Sequence, residues 1–180
     1  IGIAYGMENG SPLEGKLENV QYFHDKGIRY ITLTHSLSNH ISDSSYDENK
    51  QWGGLSPFGQ ALIEEMNKVG MMIDVSHVSD DAFYQTIDLS RAPVIASHSS
   101  LRHFTPGWER NMSDEMVKTI AKNGGVVQMN FGSNFLINDN KAKDDSEEYI
   151  FADVVDVVDH IDRVVSLTSI RHVGIGSDYD

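Results

Sequence analysis

Short apolar runs alternate with amphipathic segments along the chain, and this alternation constrains the fold more than any other sequence feature. The runs cover residues 1–7, 30–33, 71–75, 94–96, 126–130 and 173–175. They are short, continuous and partly β-branched, which is typical of parallel strands buried on both faces. We therefore expect an α/β protein with about six parallel strands separated by helices.

Several segments between these runs carry helix start signals. The Ser11-Pro12 pair with Glu14 predicts a helix that continues toward Gly27. A longer helix is predicted over about residues 147–166. Three further helices are predicted to begin after serine N-caps, which are Ser56, Ser79 and Ser113.

Two polar stretches, residues 36–56 and 132–146, are long for simple connectors. Connectors of this length are usually functional or mobile. Their acidic parts, residues 43–48 and 144–148, are expected to be solvated loop faces. His24, His160 and His172 lie in or beside predicted helices and are expected to be solvated surface residues.

Composition excludes several classes of protein. The 180 residues carry a net charge of −13, which argues against a nucleic-acid or anionic-membrane partner. The chain has no cysteine, so disulfide scaffolds, thiolate zinc sites and cysteine nucleophiles are excluded. No apolar run approaches the roughly 18 to 20 residues of a transmembrane helix. The compartment stays open between the cytoplasm and an exported, soluble location.

Polar side chains with metal-binding or proton-transfer chemistry stand at the carboxyl ends of most predicted strands. The carboxyl ends of parallel strands open on one face of a barrel, or line a crevice in an open sheet. The sequence therefore predicts that these side chains gather at one edge. They are Glu8, His35, His77, His98 and Asp178.

A metal ion is the simplest explanation for this set, although a single histidine or aspartate at a strand end is usually structural. His77 and His98 follow consecutive predicted strands, which lie about 4.8 Å apart when paired. Two imidazoles with one carboxylate form a common catalytic zinc set. Glu8 and Asp178, if about 4 Å apart, would repel by roughly 4 kcal/mol, and a divalent cation would remove that repulsion.

Seven stretches of the sequence, in this order along the chain, resemble the membrane (renal) dipeptidase family of zinc peptidases. The resemblance covers essentially the whole chain. It implies a (β/α)8 TIM barrel of the metal-dependent hydrolase type, with residues 1–180 forming a single domain that covers about strands three to eight and is incomplete at both ends. The stretches are Met7–Gly10, Arg29–His35, Gly54–Gly59, Ile73–His77, Ser90–Ser99, Arg110–Met112 and Gly176–Asp180.

The resemblance also implies two zinc ions. Glu8 would bridge both ions, and His77 and His98 would complete the second zinc site. The family holds its first zinc partly with a His-x-Asp pair on the first barrel strand, and no such pair precedes Glu8 here. Those ligands are expected outside the sequence given.

The same resemblance assigns the remaining roles. His35 would hydrogen-bond the oxygen of the tetrahedral intermediate. Arg110 would bind the terminal carboxylate of the substrate, a task suited to a guanidinium, and Arg102 is a rival for that role. Asp178 would take a proton from the attacking water and pass it to the leaving amine.

The predicted function is zinc-dependent hydrolysis of dipeptides by a hydroxide that bridges the two ions. The expected partners are a dipeptide substrate and, as one possible assembly, a second copy of the chain in a homodimer. One alternative is a different metal-dependent amidohydrolase or deaminase of the same fold. Such enzymes often bridge their metals with a carbamylated lysine, and no predicted strand here ends in lysine. The other alternative is an inactive homologue with a binding or maturation role.

Overall fold

The computed structural model describes residues 2–138 and 150–179. The chain divides into two compact units, Ile1–Ile95 and Ala96–Asp180. The sequence-based prediction of one domain over residues 1–180 stays a prediction. The predicted acidic loop at residues 144–148 lies outside the described residues, as does the start of the helix predicted from residue 147.

Strands and helices alternate through the described residues. The strands are β1 (Tyr5–Glu8), β2 (Ile28–Thr32), β3 (Met72–Asp74), β4 (Ile95–Ser99), β5 (Val126–Met129) and β6 (Val173–Ile175). The α-helices are α1 (Glu18–Asp25), α2 (Pro57–Val69), α3 (Asp80–Leu89), α4 (Asp114–Asn123), α5 (Ser133–Leu136) and α6 (Val154–Leu167). Two 3₁₀ turns cover Ser11–Leu13 and Ile170–His172.

In the first unit, β1, β2 and β3 pair in parallel and in chain order. Glu8 lies opposite Thr32, which lies opposite Asp74. The Thr32 hydroxyl donates to the buried Asp74 carboxylate at 2.6 Å, which ties the last residues of β2 and β3 together. The carboxyl ends of the three strands are therefore level, and the residues that follow them emerge at one edge.

The second unit repeats the pattern. β5 pairs in parallel with β6, with Val127 opposite Val173. Just beyond the end of β5, the Asn130 N–H donates to the carbonyl of Ser99, the last residue of β4, at 3.2 Å. Val127 and Val164 are fully buried in the apolar interior of this unit.

Burial on both faces was the wrong expectation for β1 and β6. The side chains of Tyr5 in β1 and Ile175 in β6 are 66% and 58% exposed. Each of these strands has a single strand neighbour among the described residues, β2 for β1 and β5 for β6. In the interior strands the expectation holds better, since Ile31 and Ile73 are buried.

Three predicted helix starts are confirmed, because Ser56, Ser79 and Ser113 each accept a hydrogen bond from the backbone N–H three residues ahead. The helix predicted from Ser11 is wrong. A 3₁₀ turn there ends at Glu14, whose φ of 53° is left-handed, and α1 begins only at residue 18. A left-handed residue breaks the i to i−4 hydrogen-bond ladder, so the helix starts again after it.

None of the helices in the described parts of the chain has the length and apolar content needed to cross a bilayer.

Candidate active site

The first unit brings Glu8, His35 and His77 together at the carboxyl ends of its strands. His77 Nε2 lies 3.2 Å from Glu8 Oε1, and His35 Nε2 lies 3.6 Å from the same oxygen. The two imidazole rings are 4.4 Å apart between centroids. The side chains of Glu8 and His35 are each 47% exposed, whereas that of His77 is 7% exposed. The cluster thus opens to solvent on one side and rests on a buried imidazole on the other.

This cluster fits a divalent metal ion. One ligand atom from each residue lies within 4.8 Å of the others. Ligands bonded at about 2.0–2.1 Å in a tetrahedral site stand roughly 3.3 Å apart, close to the two nitrogen–oxygen separations of 3.2 and 3.6 Å. Two imidazoles and a carboxylate suit Zn²⁺ and related ions. The geometry accommodates His35 as well as His77 beside Glu8, whereas the family resemblance gives His35 another role.

The backbone of His77 adopts an uncommon conformation. Its φ is 70°, in the left-handed region that costs a side-chain-bearing residue roughly 1–2 kcal/mol. Such residues persist where surrounding contacts hold them, often at functional sites. His77 lies three residues after Asp74, the last residue of β3. Its left-handed backbone turns the chain there, and its imidazole faces Glu8.

Tyr30 in β2 is subject to the negative charges of Asp74 and Glu8. The ring of Tyr30 in β2 lies where a Cβ at Gly6 would stand, with its hydroxyl oxygen 2.4 Å from that position. Burial, followed by the charges of Asp74 and Glu8, raises the pKa of Tyr30 above its ordinary value. The tyrosine therefore stays neutral, and the acidic groups of this unit create a potential that attracts cations.

The second unit carries His98 and Arg110, which are 8% and 3% exposed. The Arg110 guanidinium donates to the Ser99 hydroxyl at 2.8 Å and to the His98 carbonyl at 2.7 Å. It also lies 4.9 Å above the centroid of the Phe135 ring. Arg110 is thereby fixed against the end of β4, the strand that carries His98.

Arg102, the rival of Arg110, lies in the same loop region. Its Nε donates to the carbonyl of Asn111 at 2.9 Å, and a terminal nitrogen donates to the carbonyl of Glu109 at 3.0 Å. These bonds hold the backbone on both sides of Arg110. The structure therefore places Arg102 as a support of the loop that presents Arg110.

Asp178 has a partner that the sequence did not reveal. Asn130, fully buried after β5, donates from Nδ2 to Asp178 Oδ2 at 2.9 Å. The Asn130 Oδ1 accepts the Gly132 N–H at 2.7 Å, which fixes the orientation of the amide. The available signal was a polar residue at the end of an apolar run, the same signal that identified Glu8.

The expectation of a solvated face at residues 43–48 is wrong for Asp43, which is fully buried. Its carboxylate accepts the backbone N–H groups of Gln51, Trp52 and Gly54 at 2.7–3.2 Å. Burial alone would raise the pKa of Asp43, but these backbone donors outweigh it and hold the pKa below its ordinary value. Asp43 is therefore a charged group that organises the loop from within.

The expectation of a solvated His160 is also wrong, because His160 in α6 is fully buried. Leu101 N–H donates to its Nδ1 at 3.1 Å, so Nε2 carries the proton and faces the Leu136 carbonyl at 3.0 Å. Burial lowers the pKa of His160 below its ordinary value, although its hydrogen bond to Leu136 opposes the shift. His160 thus joins α6, α5 and the segment after β4 as a neutral imidazole.

Comparison with known proteins identifies relatives along the whole chain. The model of the membrane dipeptidase family, peptidase family M19, matches residues 1–180. An uncharacterised dipeptidase of Schizosaccharomyces pombe is 38% identical over 182 residues, which cover 100% of this chain and 42% of that protein. The chain spans about two fifths of the length of such curated relatives.

Solved structures agree. A probable dipeptidase, PvdM, of Pseudomonas aeruginosa superposes with a TM-score of 0.89 at 28% identity, over 97% of this chain and 56% of that one. A metallopeptidase of Rhodobacter sphaeroides, liganded with a phosphinate mimic of the dipeptide L-Ala-D-Ala, superposes with a TM-score of 0.83 at 27% identity, over 98% of this chain and 50% of that one. The predicted α/β TIM-barrel fold class is confirmed by these similarities. The chain belongs to the membrane dipeptidase family of metallopeptidases.

Proposed function

We propose that the protein is a zinc-dependent dipeptidase. The observation that carries the proposal is the Glu8–His35–His77 cluster, with nitrogen–oxygen separations suited to a metal ion, in a chain of a metallopeptidase family. A relative of this chain is liganded with a mimic of a dipeptide, which supports dipeptides as the substrate class.

Glu8, His77 and His98 are the proposed zinc ligands, with Glu8 shared between two ions. Bound zinc would polarise the peptide carbonyl and lower the pKa of a water molecule, which supplies a nucleophile at neutral pH. Glu8 offers a half-exposed carboxylate, and the His77 imidazole is buried behind it. A buried ligand loses little conformational entropy on binding, because its side chain is already ordered.

His35 is proposed to stabilise the oxygen of the tetrahedral intermediate with a hydrogen bond. Its imidazole is half exposed and lies beside Glu8, where a substrate carbonyl can reach it. Preorganised donors of this kind contribute about 3–4 kcal/mol in other hydrolases. The competing role, zinc ligation, makes a different prediction. His35→Ala should lower kcat and retain zinc, and a loss of zinc from this variant would assign His35 to the ligands.

Arg110 is proposed to recognise the terminal carboxylate of the dipeptide. Ser99, His98 and the Phe135 ring fix the plane of its guanidinium, and a fixed guanidinium matches the planar geometry of a carboxylate. Such a contact would restrict the enzyme to short peptides. Wild-type enzyme should strongly prefer a dipeptide over its C-terminal amide, and Arg110→Lys should weaken that preference.

Asp178 is proposed to accept a proton from the attacking water and to deliver it to the leaving amine. The hydrogen bond from Asn130 fixes one carboxylate oxygen, Oδ2, and so orients the other. A general acid–base group placed in this way contributes about 10²- to 10⁴-fold to the rate.

The test uses the purified full-length protein. Dipeptide hydrolysis, followed by release of free amino acids, should disappear on chelation and return with added zinc. A parallel panel of cyclic amides and aminated bases would reveal the alternative amidohydrolase or deaminase activity. Undiminished hydrolysis by the metal-free protein would overturn the proposal, and so would the absence of any dipeptide cleavage by the zinc-loaded protein.

A further inference from the structure

Residues 42–45, which we call the brace, run along the strand ends that carry His35 and His77. The Ser44 hydroxyl donates to the His35 carbonyl at 2.5 Å. The Ser45 N–H donates to the His77 carbonyl at 2.7 Å. Ser44 also forms an antiparallel bridge with Val78, directly after His77. The brace therefore holds the backbone of both histidines and leaves their imidazoles to face Glu8.

Holding the backbone matters most at His77, because its φ of 70° is one that side-chain-bearing residues rarely adopt. A residue with this φ relaxes toward ordinary values unless neighbouring contacts prevent it. A change of φ at His77 would swing the imidazole away from Glu8 Oε1, from which it is now 3.2 Å.

Asp43 connects the brace to the rest of the first unit. Its side chain accepts N–H groups from Gln51, Trp52 and Gly54 on the returning part of the loop. Its own backbone N–H donates to the Gly54 carbonyl at 2.9 Å, and its carbonyl accepts the Ser79 N–H at 3.0 Å, at the start of α3. A single buried carboxylate thus ties the brace to the loop on one side, and its backbone ties it to the helix after His77 on the other.

We propose that Asp43 is a positioning residue of the metal site, which acts through the brace to hold His35 and His77 toward Glu8. This inference rests on the proposed metal site of the first unit. Residues that orient metal ligands from behind typically change metal affinity about 10- to 100-fold when they are mutated. Asp43 does so through backbone carbonyls, and its carboxylate contacts neither imidazole in the hydrogen bonds described above.

The experiment compares zinc affinity in full-length wild-type protein and Asp43→Asn, measured by competition with a chromophoric chelator. An amide cannot accept as many N–H groups as a carboxylate, and its NH₂ group would face backbone donors. We expect zinc affinity to fall about 10- to 100-fold. The absorption spectrum of the cobalt-substituted protein should change as well, because it reports ligand geometry.

Asp153→Asn is the matched control. The Asp153 carboxylate also accepts a backbone N–H, that of Val155 at 2.7 Å, but it does so at the start of α6 in the second unit. It lies outside the brace and outside the first unit, so its replacement should leave zinc affinity and the cobalt spectrum at their wild-type values.

Ser44→Ala keeps the inference falsifiable if Asp43→Asn does not fold. This variant removes the hydroxyl that bonds the His35 carbonyl and retains the Asp43 carboxylate. It should weaken zinc binding in the same direction by a smaller factor. Wild-type zinc affinity and an unchanged cobalt spectrum in the folded variants would overturn the proposal, as would a wild-type protein that binds no zinc. If zinc affinity falls as expected but the wild-type protein cleaves no dipeptide, the dipeptidase assignment fails and the role of Asp43 stands.

Discussion

Two histidine sites, the His35–His77 pair in the first unit and His160 in the second, use their ring nitrogens in opposite ways. In the first unit, hydrogen bonds hold the backbone carbonyls of His35 and His77, and the Nε2 nitrogen of each ring faces Glu8. In the second unit, both ring nitrogens of His160 are engaged by backbone groups of the protein interior. The comparison teaches that the use of the ring nitrogens, more than burial, separates a candidate ligand from a structural histidine, since His77 is also nearly buried.

Glu8 offers the most direct test of the difference between the two histidine sites, and the largest effect is expected there. Glu8→Gln should lower kcat/KM for dipeptides by roughly a thousandfold, about 4 kcal/mol in activation free energy, because the proposed shared metal ligand is lost. The free energy of unfolding of the metal-free protein should change by less than about 0.5 kcal/mol, since the side chain is half exposed. Steady-state kinetics and urea denaturation measure these two quantities, and the zinc content of the variant, which should fall, reports the loss of the ligand.

Glu14→Gln serves as the control for Glu8→Gln, because the side chain of Glu14 is 68% exposed and pairs with Lys16 at the surface. It should leave both activity and zinc content unchanged. If Glu8→Gln retained full zinc content and turnover, the proposal that Glu8 is a metal ligand would be wrong.

His160 should show the reverse pattern. His160→Ala leaves the buried Leu101 N–H and Leu136 carbonyl without their imidazole partner and creates a cavity, so the free energy of unfolding should fall by about 2–4 kcal/mol. Zinc affinity of the folded fraction should not change. Urea denaturation tests the first statement, with His24→Ala as a more exposed control. A fall of less than about 1 kcal/mol in the free energy of unfolding would contradict a structural role for His160.

The pH dependence of the free energy of unfolding gives a second test of whether His160 is a buried, neutral imidazole. Because the pKa of His160 is lowered in the folded state, the unfolded chain binds a proton more readily than the native protein does. This group therefore costs no stability above its unfolded pKa of about 6.5, and it lowers stability progressively as pH falls below that value toward the folded pKa. Urea midpoints between pH 7.5 and 5 should decline less steeply in His160→Gln than in wild type. Equal slopes would contradict a neutral, buried His160.

Asn130 tests whether the second unit also contributes to catalysis. Asn130→Ala removes the donor to Asp178 Oδ2, and we expect kcat to fall about tenfold with zinc content unchanged. Single-turnover and steady-state rates measure the change. An unaltered kcat would mean that the orientation of Asp178 does not depend on Asn130.

The smallest effect is expected at a surface pair of the second unit. The hydrogen bond and charge of Arg163 hold the pKa of Asp114 below its ordinary value. The ionised Asp114 carboxylate therefore contributes its full stabilisation above its unfolded pKa of about 3.9, and this contribution is lost as the pH falls through the lower pKa of the folded state. Since both side chains are 32% exposed, Asp114→Asn should cost no more than about 1 kcal/mol at pH 7, and less in high salt. Glu115→Gln, one residue along α4, is the control, and a salt-independent loss would contradict an ionic origin.

Local signals in the sequence predicted much of the fold. The serine caps at residues 56, 79 and 113 depend on a hydroxyl and a nearby N–H, so a few residues contain the information. The proximity of Glu8 and His77 followed from strand order, because parallel neighbours end at the same edge. The functional roles of all the predicted site residues stay predictions; these residues are Glu8, His35, His77, His98, Arg110 and Asp178.

The errors concern contacts between residues distant in sequence. Asp43 reads as a solvated acid in its local context, and its burial depends on N–H groups up to eleven residues away. His160 is fixed by Leu101, 59 residues earlier in the chain. Asn130 and Asp178 are separated by 48 residues. Neither periodicity nor capping rules carry such information, since tertiary packing decides which polar groups become buried.

The left-handed backbone at His77 has a consequence for protein engineering. Glycine or asparagine at this position would relieve the conformational penalty, so variant libraries sorted only by melting temperature should accumulate these residues and lose the imidazole. Libraries sorted by turnover should keep histidine and gain heat resistance elsewhere. At position 77, selection for thermal stability and selection for catalytic activity would therefore favour different residues.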